Sequence, residues 1–554
     1  MSGDFTRETF HPAKHYSRVL FQQGRVTLDA DPNEQTAILL HALRTLARDL
    51  IGPYAAPAVE GGFQIVPQAR KGFTIGQGRY YVDGILVENE TTCPYDAQPD
   101  YPLAADDPVV AETKQPTRKM LFLYLDVWER VITPIQDGLI REVALNGPDT
   151  ALRAKVVWQV RALDTGEFYQ ANENNGGQQF DCAGSVANLV AVSAASLAAR
   201  IDPGDVPDDP CILAPSAKYR GAENQLYRVQ IHNSGTAGTA GGATFKWSRD
   251  NGSRVTAWLG TFGDQLRVAD SRLFDAGCWV EMTDDVLDLQ GQPGVLVRVA
   301  KVAPGALTLD PASVGAATPF GPALVNPKLR RWDQAQVGEI VLQNGAVPIQ
   351  EGIDTPVWIG LEDGVQVSFT SGGTYRSGDY WEIPARVATG DVEWPRVTTN
   401  GNTVATPLPP RGVHHHYAPL GFLAFDGETF HYQTCYCEFT PGSSCFQFDF
   451  TNRRALSTAG VQTAPAPATP AAAAPAPAAP ASAAPAPSAA PGQPAAGQTA
   501  EAPARAAAQV QVEAARVPLE VNEAVARPVQ AAPVQPTPAG NAAGSATSGG
   551  TSTP

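Results

Sequence analysis

The 554-residue sequence predicts a mainly β, multi-domain protein of β-sandwich or barrel-like modules, with a short N-terminal helix and a disordered Ala/Pro-rich C-terminal tail. Three observations predict it. Short apolar runs, alternating or continuous, recur up to Phe450 and are bounded by Gly, Pro and Asn-Gly or Asp-Gly pairs. Helical periodicity is confined to two stretches. Aromatic residues stop at Phe450, after which the chain becomes Ala-Pro repetition such as Ala471-Ala-Ala-Ala-Pro-Ala-Pro. A segment without large apolar side chains cannot offset the entropy of ordering itself.

A body of roughly 450 residues exceeds what one core usually serves. The expected division is 1–55, an N-terminal strand–helix docking segment; 56–165, a β domain; 166–330, a β domain with a helical insertion; 331–452, a C-terminal β domain; and 453–554, the tail.

Arg25-Val-Thr-Leu-Asp alternates as a half-buried strand does. Asp31, Pro32 and Glu34 together read as a helix start. Leu39, Leu43, Leu46 and Leu50 then form one stripe, and Gly52-Pro53 ends the helix. The stripe is read as packing on its own domain, with docking on another subunit as the alternative. Phe73-Thr-Ile-Gly, Arg79-Tyr-Tyr-Val and Ile85-Leu-Val are strands, with a tight turn at Asp83-Gly84. Residues 120–128 form a nearly continuous apolar run, as in a strand covered on both faces. Lys155-Val-Val-Trp-Gln-Val-Arg is a further strand. Phe245-Lys-Trp-Ser-Arg and Arg254-Val-Thr-Ala-Trp flank Asn251-Gly252 and read as a hairpin. Val295-Leu-Val-Arg-Val and Ala306-Leu-Thr-Leu form a pair, and Val365-Gln-Val-Ser-Phe follows an Asp363-Gly364 turn. Residues 185–200, rich in Ala, Val and Leu, read as the second helix. The Ala-Pro tail reads as an extended spacer or a solubilising segment.

The net charge of −16 disfavours nucleic acid and anionic membranes as partners. The N-terminus lacks the apolar stretch of a secretory leader, so a cytoplasmic protein is expected, assembled into a particle that lysis can release. Seven cysteines, an odd number, argue against a disulfide framework.

Catalytic signatures are missing. Gly76-Gln-Gly78-Arg-Tyr-Tyr81 lacks the third glycine of a dinucleotide loop, and neither a nucleophile elbow nor a zinc-protease helix occurs. No catalytic, cofactor-binding or metal residue is assigned, and no cofactor is expected. Two clusters carry metal alternatives. His414 and His416 would share one face of a strand, and a threefold assembly would present six imidazoles to one ion. His431, Cys435, Cys437 and Cys445 offer soft ligands for zinc. The favoured readings are an interface or strand edge for the first and small side chains on a terminal strand for the second. Asp29-x-Asp31-x-Asn33 resembles the start of a calcium loop but lacks its glycine and glutamate.

Several longer runs resemble an uncharacterised bacterial family. They include Gly3-Asp-Phe-Thr-Arg, His15-Tyr-Ser-Arg-Val-Leu, Leu28-Asp-Ala-Asp-Pro-Asn-Glu-Gln and Leu123-Tyr-Leu-Asp-Val-Trp-Glu-Arg. Others are Glu223-Asn-Gln-Leu-Tyr-Arg-Val, Phe245-Lys-Trp-Ser-Arg-Asp-Asn-Gly-Ser and Gly373-Thr-Tyr-Arg-Ser-Gly-Asp-Tyr-Trp. The resemblance covers the body and none of the tail, and it departs at Pro32, where similar sequences carry a bulky aromatic residue. Genes of this family often lie among those for phage-tail-like contractile injection systems. The resemblance therefore implies a non-enzymatic structural or adaptor component, associated with the baseplate, fibre or tail. Its expected partners are other particle subunits (baseplate, sheath or fibre proteins), with copies of the same chain as a further option; neither nucleic acid nor membrane insertion is expected. An alternative is a carbohydrate-binding surface-recognition protein using Tyr375, Tyr380 and Trp381. A third is a hydrolase on a β scaffold, which requires two converging carboxylates, one with a raised pKa.

Overall fold

The computed structural model describes residues 2–440 apart from 69–71, 105, 115–118, 168–179, 191–192, 205–217, 239–240, 263–264, 316–323, 337–339, 353–354, 400–401 and 426–429. The tail assigned to 453–554 lies outside the described residues, as do Cys211 and Cys445. The described body is mainly β.

The run at 120–128 is the centre of the strand Lys119–Ile132, which is buried on both faces as its composition predicts. It pairs antiparallel with Arg153–Glu167 on one side and His416–Phe425 on the other. Strands separated by some 290 residues are thus neighbours, so sheets cut across the sequential modules. A second sheet joins Tyr54–Pro57, Gly78–Val82 and Ile85–Asn89, with Glu438–Phe439 added in parallel. Phe63, Tyr80, Val87, Leu123, Trp158 and Leu423 belong to the core formed around these strands.

A second core lies between two sheets. Gln225–Asn233 is flanked by Thr244–Ser248 and Tyr380–Arg386. Leu197–Ile201 pairs antiparallel with Val365–Thr370. Tyr227, Val229, Ile231, Phe245, Trp247 and Trp381 from the first sheet pack with Leu197, Val367 and Phe369 from the other. The third core fills a closed six-stranded barrel of Val255–Phe262, Gln265–Val268, Ala306–Leu309, Val295–Ala303, Trp279–Thr283 and Lys328–Trp332. No helix among the described residues is long and apolar enough to cross a membrane.

Four local expectations are corrected. Residues 25–29 form no strand; they are exposed and have no ladder partner. Helix α1 (Ala30–Ile51) starts before Asp31, whose carboxylate instead accepts from the Leu28 amide, while Glu34 accepts from Thr9. The helix expected over 185–200 is only Cys182–Ala187, an unforeseen short helix Pro108–Lys114 precedes it, and Leu197–Ile201 is a strand buried over its first three residues: the Ala-rich run is short, and a sheet edge at Val365–Thr370 outweighs its helix propensity. Asn251-Gly252 does turn, with φ of 52° and 63°, but no hairpin results. The preceding strand stays in the sheet with Gln225–Asn233, and the following one enters the barrel beside Lys328–Trp332.

Candidate functional site

Helix α1 is polar toward its own body and apolar toward solvent. With 3.6 residues per turn, Leu39, Leu43, Leu46 and Leu50 fall within about 60° of arc, opposite Ala30 and Arg48, with Ile38 to one side. Ile38 and Ala30 are buried against the body. Arg44 makes two parallel hydrogen bonds to Glu129 (2.8 and 3.1 Å), Arg48 lies 3.5 Å from Asp83, and the Phe10 ring stands 5.6 Å from His41. Gly84 of the Asp83-Gly84 turn sits so close that a Cβ there would come within 2.1 Å of the Arg44 carbonyl oxygen. The four leucines remain 58, 61, 56 and 66% exposed. The reading that this stripe packs on its own domain is therefore corrected: the helix spends its polar side on the body and leaves its apolar side uncovered. Beside it runs an arm, fastened by the Val19 amide donating to Gln35 (2.8 Å), which exposes Tyr16, Leu20, Phe21 and Val26.

A second concentration of chemistry lies between the sandwich and the barrel. Residues alternate across a strand, so Tyr227, Val229 and Ile231 enter the core while Arg228, Gln230 and His232 share the other face. Lys246 joins them from the next strand. From the outer barrel wall come Glu281 and Trp332. Lys246, only 1% exposed, donates to Glu281 and stands 4.5 Å over the Trp332 ring. Glu281 also accepts from Trp332 Nε1 (2.9 Å) and the Gly294 amide (2.9 Å). Burial alone would raise the Glu281 carboxyl; the charges of Lys246 and His232 and the hydrogen bonds from Lys246 and the Gly294 amide bring it down to about 2. Burial, reinforced by Lys246, pushes His232 down to about 4, so it is neutral at pH 7, and its Nδ1 has no partner. Arg228 stacks 3.6 Å from the Tyr380 ring and donates to Asn251 (3.2 Å), which in turn donates to the Gly3 carbonyl (3.1 Å). The N-terminal segment is thereby pinned across the opening.

These residues line part of an open cleft of about 2430 Å³, which Arg330, the N-terminal segment and helix α1 also border. It exceeds the roughly 300–1,000 Å³ of a small-molecule pocket, and Lys246 and Glu281 neutralise each other within it. The arrangement fits a polar seam that locks sandwich to barrel.

Within one chain, residues of both metal readings have other partners. His416 opens its strand and its Nδ1 pairs with Asp83 (2.9 Å), while His415 pairs with Asp126 (2.6 Å); His414 precedes the strand. Cys435 is bonded to Cys182, 253 residues earlier, and Cys437 is also disulfide-bonded. This corrects the expectation drawn from the odd cysteine count and removes both cysteines from a zinc site. Among the described residues no group of three or more His, Cys, Asp or Glu is placed to hold a metal. Tyr375, Tyr380 and Trp381, the candidate sugar-stacking residues, are buried. Among the described residues, Asp379 and Glu362 are acids raised by burial. Asp379 faces Arg376 and His414. Glu362 converges with Asp333 on a shared Arg249 (2.7 and 3.7 Å), a charge clamp.

The features together describe a multi-core β protein with an outward apolar helix. The chain belongs to a family of unknown function (DUF6519), whose model matches residues 1–175 and 169–509. The match runs past the body into the Ala/Pro-rich segment, farther than the resemblance in the runs above. No curated protein and no solved structure matches the chain.

Proposed function

We propose that this protein is a structural or adaptor subunit that joins a larger assembly through helix α1, and that the assembly is a phage-tail-like contractile injection particle. The observation that carries the first half is the uncovered leucine face of α1 on a helix whose polar side is already committed to the body. Contiguous exposed apolar surface of this kind marks interaction sites. The second half rests on the sequence resemblance described above. The Cys182–Cys435 disulfide supports a chain that meets oxidising surroundings, as a subunit of a released particle does. Burial of Tyr375, Tyr380 and Trp381 removes the residues on which a sugar-stacking reading stood.

The test is affinity purification of tagged protein from its native cells, comparing wild type with Leu39→Glu/Leu43→Glu. Sheath and baseplate proteins are expected with the wild type and lost with the variant. Recovery of the same proteins with both would overturn the docking role; a wild-type chain that brings down partners of another kind would overturn the particle assignment.

A further inference from the structure

We infer that the partner of the α1 leucine face is a second copy of this same chain, packed stripe to stripe; this rests on the docking reading above and specifies its occupant. The spacing of Leu39, Leu43, Leu46 and Leu50 is four, three, four, the alternation that places leucines at successive a and d positions of a heptad. Leucine at both positions is self-complementary: each side chain fits a hole formed by four residues of an identical helix. The flanking positions carry Leu40, Ala42 and Ala47, which are neutral, and Asp49 alone is charged. The two arginines of this stretch, Arg44 and Arg48, are turned to Glu129 and Asp83 of their own body. Two copies of a chain with net charge −16 repel over most of their surface. A nearly neutral apolar stripe is where they can meet.

The area is sufficient when the neighbouring arm is included. Leu39, Leu40, Leu43, Leu46 and Leu50 are joined by Tyr16, Leu20, Phe21, Val26 and Leu28, each between 38 and 86% exposed. At roughly 100 Å² of apolar surface for a large side chain, these ten offer on the order of 600 Å² per copy. That is about 1,200 Å² across a pair, above the ~1,000 Å² expected of a specific interface. Closed symmetric assemblies of identical chains are also the commonest oligomers.

The experiment uses the full-length purified chain. Light scattering after size exclusion, repeated over a dilution series, is expected to give twice the 58.5 kDa monomer for wild type. Leu43→Glu/Leu46→Glu is expected to give the monomer mass with unchanged circular dichroism. Val143→Glu, at an exposed site away from the stripe, is expected to keep the wild-type mass. In addition, Leu46→Cys is expected to form an intermolecular disulfide under mild oxidation. A monomeric wild type at tens of micromolar, or a double variant that keeps the oligomer, overturns the proposal. The docking reading fails separately, through unchanged recovery of partners by the leucine variants. A monomeric wild type combined with loss of partners by those variants rejects the second copy alone.

Discussion

Replacing Lys246 by Ala strands the Glu281 carboxylate inside the seam between sandwich and barrel. Glu281 keeps two donors, Trp332 Nε1 and the Gly294 amide, each at 2.9 Å, and loses its buried counter-charge. Breaking a buried pair from one side costs about 3–5 kcal/mol. The two retained donors, and the option of taking up a proton once Lys246 no longer holds the carboxyl low, put the expected cost near the lower end, ~3 kcal/mol. With a urea slope of about 3 kcal/mol per M, the unfolding midpoint falls by roughly 1 M. Circular dichroism and tryptophan fluorescence, to which Trp332 contributes, are the readouts. Lys246→Met combined with Glu281→Gln removes both charges but keeps only one acceptor oxygen for the two donors Trp332 Nε1 and the Gly294 amide, so it is expected to cost about 1–3 kcal/mol, well short of the sum of the two single variants. A single variant costing under ~1 kcal/mol, or a double variant equal to the sum of its parts, would refute the pairing argument.

Three further perturbations follow from the same geometry. His232 is held down to about 4; below pH 6.5 the unfolded chain binds a proton that the folded chain refuses until that value, so stability present above pH 6.5 is lost on acidification. The span corresponds to roughly 3 kcal/mol. His232→Gln should flatten urea midpoints between pH 6.5 and 4, and an unaltered decline would contradict this. Gly84→Ala places a Cβ 2.1 Å from the Arg44 carbonyl oxygen at a φ of +79°. Left-handed strain alone costs ~1–2 kcal/mol, so α1 amides should exchange faster with deuterium; wild-type exchange rates would count against the described seating of the helix. Cys182→Ala opens a link spanning 253 residues and should cost about 2–5 kcal/mol in non-reducing buffer. At least that loss should appear in wild type on adding reductant, which also opens the bond at Cys437, and indifference to reductant would argue that the bond carries no stability.

The sequence revealed local geometry better than pairing. Asp83-Gly84 and Asp363-Gly364 were legible because left-handed backbone at Asp and Gly is a property of those residues themselves. Asn251-Gly252 announced its turn equally well. The following strand pairs with the nearby Gln265–Val268 on one side, but on the other its partner is Lys328–Trp332, more than 60 residues on, and no local signal names it. Residues 185–200 misled because a short Ala-rich run is ambiguous until a neighbouring edge decides it. The charged seam was half visible: Arg228, Gln230 and His232 alternate with Tyr227, Val229 and Ile231, the pattern of a strand with one polar face. That the polar face is covered, and that Glu281 waits opposite Lys246, depends on how the barrel packs. The Cys182–Cys435 bond depends likewise on tertiary proximity. The leucine stripe was legible in full, but which way it faces was not, since periodicity alone does not say what covers a face.

Whether the α1 face is covered by protein in the living cell can be measured directly by placing a photo-activatable residue at position 46 of the full-length chain and irradiating intact cells. An outward leucine face that serves assembly predicts abundant adducts joining two polypeptides, and far fewer when the same probe replaces exposed Leu139. Irradiation that yields only uncrosslinked chain at position 46 would show the face bare in its natural setting, and the account of this protein as an assembling subunit would not survive it.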